Sequence, residues 1–423
     1  MTGGSPAGRS LRVALIDGPT YAPLYEVIPA FMERTGIDVD IALRLPHAAL
    51  NDVVIDPDDA GNSPFDLIST HIKYAPSQAQ ALLPLDHLLP AHEIARFLRA
   101  PLDHSRVGGE LLQLPRHTDT RLLLYRRDWF EDPVMQRRFA EQNARPLIVP
   151  ETWDDLLDVA AFFTQPPDRF EFAFTGQPSG LFGTFYELLS MAGGTLFDAA
   201  GHPDLTSPAA RWALGYLRRL HVERRVTPPG SLAWDFDEVT NAFMRGSLAM
   251  IADWPGSFGL LDDTSRSAVA NLYDVMRYPV GPAGIRRVYS GSHSFAITRS
   301  CRDVPAALDL LRTLTGVEAQ MIEGRLGAVP TRIDVIESLQ NAETSPRARR
   351  RGELLRETIA TSMISFPPLA DYPLLEDLAW PMLSAALHGT RSVRDALAEA
   401  QRQATTANIT MPSPETDQEQ SRP

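Results

Sequence analysis

Apolar positions along the chain change period in a regular way. Leu11 to Ile16 is a short apolar run, Leu24, Val27, Ile28 and Phe31 follow at helical spacing before Gly36, and Ile37, Val39 and Ile41 alternate with Asp38 and Asp40. These three patterns predict a strand, a helix closed by glycine, and a second strand. Strand, helix and strand in about 30 residues make a βαβ unit, so the sheet they belong to is at least partly parallel. Phe65 to Ile68 predicts a third strand, and Ser69 to Tyr74 the loop at its end.

The same alternation of elements continues downstream. Thr152 can cap a helix carrying Leu156, Ala160 and Phe163, Phe170 to Phe174 reads as a strand, and Thr175 to Thr184 as a glycine-bearing loop with Phe182 in its middle. Phe236, Val239 and Phe243 mark a helix that ends at Gly246, and Ser247 to Ala252 is nearly continuous in apolar character, as in a strand covered on both faces. Trp254-Pro255-Gly256 then forces a turn. In an open α/β sheet that edge is where ligands bind, and an indole there offers a flat apolar face. Tyr278 to Pro282 is a turn cluster, Ser290 to Ser294 a small polar loop, and Phe295 to Ile297 a strand. A helix with Asp303 as N-cap follows, its stripe being Ala307, Leu310, Leu311 and Leu314. Leu375 to Leu387 carries Trp380 on a helix that Pro381 is expected to interrupt.

Composition narrows the classes. With 423 residues, two to three domains are expected. The balance of 40 basic against 53 acidic residues, net −13, disfavours a nucleic-acid partner. No run approaches the roughly 18 apolar residues of a membrane span. Cys301 is the only cysteine, and it cannot form an intramolecular disulfide, a zinc site or an iron–sulfur site. Asp56, Asp58 and Gly61 lack the third ligand and closing glutamate of a calcium loop, so a solvated loop is expected there. Neither a metal nor a cofactor is expected. G-x-S-x-G, Walker, G-x-G-x-x-G and H-E-x-x-H patterns are absent, which leaves an enzyme little support, although a glycosidase needs only two carboxylates. All but one of the 40 basic residues are arginine. Lys73 is therefore either an accident of codon usage or a place that needs a compact ammonium.

Taken in order, "EVIPAFMERTGIDVDI", "LLQLPRHTDTRLLLYRRDWF", "PETWDDLLDVA", "AFMRGSLAM" before Trp254, "PVGPAG", "SGSHSFAI", "AALDLLRTLTGVEAQ" and "GAVPTR" resemble the extracellular solute-binding proteins of ABC importers. The branch is the sugar-binding one that includes maltose-binding protein, and the resemblance spans roughly Leu11 to Ala404. It implies a periplasmic-binding-protein-like α/β fold of type II. Two lobes, each a mixed sheet flanked by helices, would be joined by a hinge with the ligand cleft between them. Lobe one would be 11–115 plus 285–329, lobe two 116–284 plus 330–408, and 1–10 and 411–423 disordered tails. Met1 to Ser10 has no signal-peptide core, so either an export signal was removed or the chain stays in the cytoplasm. The resemblance favours a periplasmic or extracellular protein.

The resemblance also implies a site. Asp17 and Tyr21 would follow the first strand, and Thr70, His71 and Lys73 the third. Asp119 aligns with a carboxylate that accepts sugar hydroxyls, for which two charged acceptor oxygens are well suited. Phe182 and Gly183 match a loop that places a ring and backbone against the sugar. Trp254 and Trp380 match stacking aromatics, and Gly291, Ser292, His293 and Arg332 fall in the remaining motifs. The ligand would be a small carbohydrate or polyol, the partners the permease subunits of an importer, and the protein a monomer. A cytoplasmic carbohydrate sensor on the same fold and a glycoside-acting enzyme remain as alternatives.

Overall fold

The computed structural model describes residues 9–18, 21–55, 61–167, 169–343 and 345–411. The expected tails at 1–8 and 412–423, and Asp56 and Asp58 of the acidic loop, lie outside these residues. The ends of the described chain are tied down. Ser10 opens the first strand, Arg9 pairs with Asp303 at 2.6 Å, and the Met411 amide donates to the Gly201 carbonyl at 2.9 Å. Residues 9, 10 and 411 are therefore not part of a disordered tail.

The chain divides into two compact units. The first takes the chain up to Asp119, Gly291–Ser345 and Phe366–Ala370; the second takes Thr120–Ser290, Pro346–Ser365 and the chain from Asp371 on. The chain changes unit at Asp119/Thr120 and Ser290/Gly291, where the expected crossings were 115/116 and 284/285. Residues 330–345, expected in the second lobe, belong to the first unit. Thr331 Oγ1 donates to the Pro115 carbonyl at 2.7 Å, and the Leu98 amide donates to the Thr331 carbonyl at 2.7 Å.

The sheet of the first unit runs in the order Val329–Pro330, Leu114–Thr120, Val288–Ile297, Leu67–His71, Ser10–Ile16, Asp38–Leu45. Ser10–Ile16 is parallel to both neighbours, whereas Val288–Ile297 is antiparallel to Leu67–His71, so the sheet is mixed. The run Leu11 to Ile16 is apolar because both faces of the strand are covered. Leu11, Val13 and Leu15 enter one core cluster with Phe31 and Leu310, and Ala14 and Ile16 a second with Leu50, Ile68 and Ala296. The helix Val27–Thr35 ends as expected at Gly36, whose φ of 65° is open to glycine without strain.

The second unit holds a four-stranded mixed sheet in the order Asp274–Met276, Leu122–Tyr125, Leu248–Asp253, Phe170–Ala173. Leu248 to Ile251 are fully buried, as their unbroken apolar character requires. The helix Phe236–Met244 that feeds this strand starts with a capping box between Asp235 and Glu238. Among the described residues no helix is long and apolar enough to cross a membrane.

Four local expectations change. The third strand is Leu67–His71, so Ser69, Thr70 and His71, expected in the loop after it, lie within the strand. Ser290 to Ser294 is not a loop but the middle of the ten-residue strand Val288–Ile297, every residue of it buried. Small polar side chains mimic a turn in sequence, yet at Gly291 it is the His71 ring that leaves no room for a Cβ. Thr175 to Thr184 is a loop only to Gln177; the helix Pro178–Met191 starts on a proline at its first turn and contains Phe182 and Gly183. The helix Tyr372–Leu387 runs through Pro381, forgoing one backbone bond in exchange for continuous burial of Leu375, Ala379 and Leu383.

Candidate functional site

Imidazoles gather in the first unit at the ends of its central strands. The register pairs His293 with His71 and Ser294 with Thr70, so the two rings extend from the same edge, with centroids 5.0 Å apart. His47, opening the short helix His47–Asn51, meets both, at 5.1 Å from His71 and 4.8 Å from His293. His117 lies 4.8 Å from His293 on its other side. Gly291 makes this packing feasible, since a Cβ on it would stand 2.1 Å from His71 Nε2. Tyr21 reaches the cluster through its hydroxyl, 3.3 Å from His293 Nε2.

Charge in this group is sharply divided. Burial, helped by the neighbouring imidazoles, holds His71 and His293 well below the usual histidine range and His47 at about 3, so all three are neutral near pH 7. For His117 burial also opposes charge, but Asp119, 3.0 Å from Nε2, and Glu323 outweigh it and push the ring up to about 9. Arg116, fully buried, is paired with Glu323 and stacks over Tyr21 with its guanidinium carbon 4.9 Å from the ring centre. Lys73 is 4% exposed, with Nζ 4.9 Å from the Tyr74 ring centre and 6.0 Å from that of Phe366. Thr70 Oγ1 sits between Asn51 Oδ1 at 2.9 Å and Gln78 Oε1 at 2.8 Å. Ser292 is buried in the strand. Asp17 is more exposed and pairs with Arg44 at 3.0 Å. Arg332 is engaged elsewhere in the unit, by Asp334 at 2.6 Å and the face of Phe97.

In the second unit an arginine organises the aromatic residues. Arg121, opening the strand Leu122–Tyr125, is fully buried, with its guanidinium 5.5 Å from the Trp254 ring, 5.7 Å from Tyr278 and 5.7 Å from Tyr289. It pairs with Glu187, whose other oxygen accepts the Tyr289 amide at 2.8 Å. Trp254 follows the strand Leu248–Asp253 as expected. Phe236 and Tyr289 present their edges to it at 5.9 and 5.8 Å, and it is only half-buried. Asp253 beside it is pushed up to about 6 by burial, although the Trp254 amide at 2.7 Å and Thr240 Oγ1 at 2.8 Å donate to its carboxylate. Gly183 lies under Tyr289, where a Cβ would be 3.1 Å from the ring. Phe182 is fully buried between Phe185 and Tyr372, inside the unit. Trp380 is half-buried and donates its indole proton to the Gly176 carbonyl at 2.8 Å.

The structure thus brings Tyr21, His71, Gly291 and His293 together, with Thr70, Lys73 and Asp119 directly adjoining, and separately brings Trp254 and Gly183 together around Tyr289. Sequence reasoning missed His47, His117, Arg121, Glu187, Tyr289 and Phe366. His117 was within reach, because residues two apart on a strand share a face and Asp119 had been singled out. Arg121 also left a signal as a charge opening an apolar strand.

A model of the bacterial extracellular solute-binding protein family matches residues 17–321, well over half of the chain. The chain belongs to that family. A curated relative from Sinorhizobium fredii, described as a probable amino-acid ABC transporter periplasmic-binding protein, is 23% identical over 93% of this chain and 88% of its own length. Among solved structures, the maltose-bound MalE3 of T. maritima has a TM-score of 0.81 at 23% identity, covering 94% of this chain and 99% of that one. A solute-binding protein of Agrobacterium radiobacter K84 in complex with ribitol has a TM-score of 0.78 at 21% identity, covering 95% and 99%. At such identities these neighbours speak for the fold: an α/β solute-binding protein with a mixed sheet and flanking helices in each unit. The family is one of binding proteins for ABC transporters.

Proposed function

We propose that this protein captures a small hydroxylated solute, a sugar or polyol, outside the cytoplasmic membrane and presents it to an ABC importer without transforming it chemically. The observation that carries the reading is Trp254. A solute-binding family member that leaves an indole half-buried at the end of a central strand, while Arg121, Tyr278 and Tyr289 behind it are buried, holds a rigid aromatic face ready for the C–H surface of a sugar ring. In the first unit, Lys73 and Asp119 are a donor and an acceptor of the kind hydroxyls use. Similar proteins with bound maltose and ribitol support the solute class.

Titration calorimetry with mono- and oligosaccharides, sugar alcohols and amino acids tests the proposal. Saturable heat with a sugar or polyol, and unchanged ligand recovered afterwards, is expected. Saturation by amino acids alone would transfer the function to the solute class named for the Sinorhizobium relative, and release of hydrolysed glycoside would restore the enzyme reading.

A further inference from the structure

We infer that the imidazole cluster of the first unit is a binding site for a divalent transition-metal ion, zinc being the best fit, with His47 and His293 as the primary ligands and His71 as the third. This inference is independent of the solute. One nitrogen from each of the three rings lies within 4.8 Å of the others. Tetrahedral zinc, with bonds of about 2.0–2.1 Å, asks for nitrogens about 3.3 Å apart, so modest rotation of the rings closes the set.

Hydrogen bonding decides which nitrogens are available. His47 Nε2 and His293 Nδ1 are buried and have no hydrogen-bond partner, which is costly unless a ligand engages them. His293 Nε2 faces the Tyr21 hydroxyl at 3.3 Å; a proton donated there leaves the Nδ1 lone pair open. His71 differs, because its Nδ1 accepts the Lys73 amide at 3.0 Å and its proton therefore sits on Nε2. It joins a metal only by turning its ring and giving up that bond, so it is the weakest of the three ligands. A second set within the same distance, His117, Asp119 and His293, is the poorer choice. His117 Nε2 is already 3.0 Å from Asp119 and Nδ1 3.7 Å from Glu323, so both of its nitrogens face carboxylates.

Three neutral ligands leave the full charge of the ion uncompensated, and the Lys73 ammonium is close enough to act on His47 and His71. A hydroxide or other anion in the fourth position offsets that charge and should tighten binding.

The test is calorimetry of untagged, EDTA-treated and dialysed protein with zinc chloride. One ion per chain is expected, with affinity falling at least tenfold in His47→Ala and in His293→Ala and unchanged in His202→Ala, an exposed histidine of the second unit 3.6 Å from Asp198. Cobalt(II) should give the visible absorption of a tetrahedral site in the wild type and lose it in both variants. Circular dichroism of the metal-free variants reads folding, and His47→Ala, on a short and partly exposed helix, carries the test if His293→Ala unfolds. Absence of one-to-one zinc binding, or binding that survives both substitutions, overturns the inference.

Discussion

Replacing Asp253 by asparagine should stabilise the protein at neutral pH and remove a pH dependence. The carboxyl is 4% exposed and burial holds it at about 6, against 3.8 for the unperturbed group. At about 1.4 kcal/mol per pH unit, that gap corresponds to roughly 3 kcal/mol. The sign follows from which state ionises first. Below about pH 4 both states hold the proton and the contribution to stability is complete. Between 4 and 6 the unfolded chain releases its proton while the folded one keeps it, so stability falls, and above 6 the loss is complete. Asparagine keeps an oxygen for the Trp254 amide, and its amide can donate to Thr240 Oγ1, whose hydroxyl then serves the Phe236 carbonyl at 3.0 Å alone. Urea unfolding of both proteins at pH 4, 5, 6 and 7 gives the difference directly. The asparagine variant should gain about 3 kcal/mol relative to wild type between pH 4 and 7. A difference that stays constant across that range would refute the reasoning, because the carboxyl would then titrate alike in both states.

Trp254→Ala should cost about 2 kcal/mol or more of solute affinity with little change in melting temperature, whereas a core role would show as about 3–5 kcal/mol of lost stability with or without solute. Lys73→Arg should weaken solute binding at least tenfold, about 1.4 kcal/mol, in calorimetry, because a compact ammonium can point its donors at two hydroxyls where a planar guanidinium needs a wider space; equal affinity would make the lone lysine an accident of codon usage. Gly291→Ala should destabilise the first unit by about 1–3 kcal/mol, since its Cβ would stand 2.1 Å from His71 Nε2. Adding His71→Ala should recover part of that loss, and a strictly additive double mutant in thermal unfolding would sink the explanation.

What could be read from the sequence was what repeats at a period. Leu11 to Ile16, the stripe before Gly36 and the run Leu248 to Ile251 declare their elements because burial on one or both faces dictates each position. Motif order then carried the family. What stayed hidden depended on distance in space. Ser290 to Ser294 reads as a turn by composition, and only the His71 ring lying against Gly291 explains why a buried strand holds a glycine there. Arg121, Glu187 and Tyr289 are far apart in sequence and meet through one buried ion pair, for which no local pattern exists. Pro381 looked like a helix end, yet packing of Leu375, Ala379 and Leu383 outweighs one missing backbone bond. His47 gave no signal, since one histidine after a proline is unremarkable until His71 and His293 stand beside it.

Capture of a sugar or polyol is measured most directly by calorimetry of the purified chain, wild type and Trp254→Ala side by side, against a carbohydrate panel. The account predicts at least one sugar or sugar alcohol bound one-to-one near micromolar strength, about −8 kcal/mol, and a weaker or vanished heat for the variant while it stays folded. No heat with any carbohydrate or polyol for the wild type would contradict it.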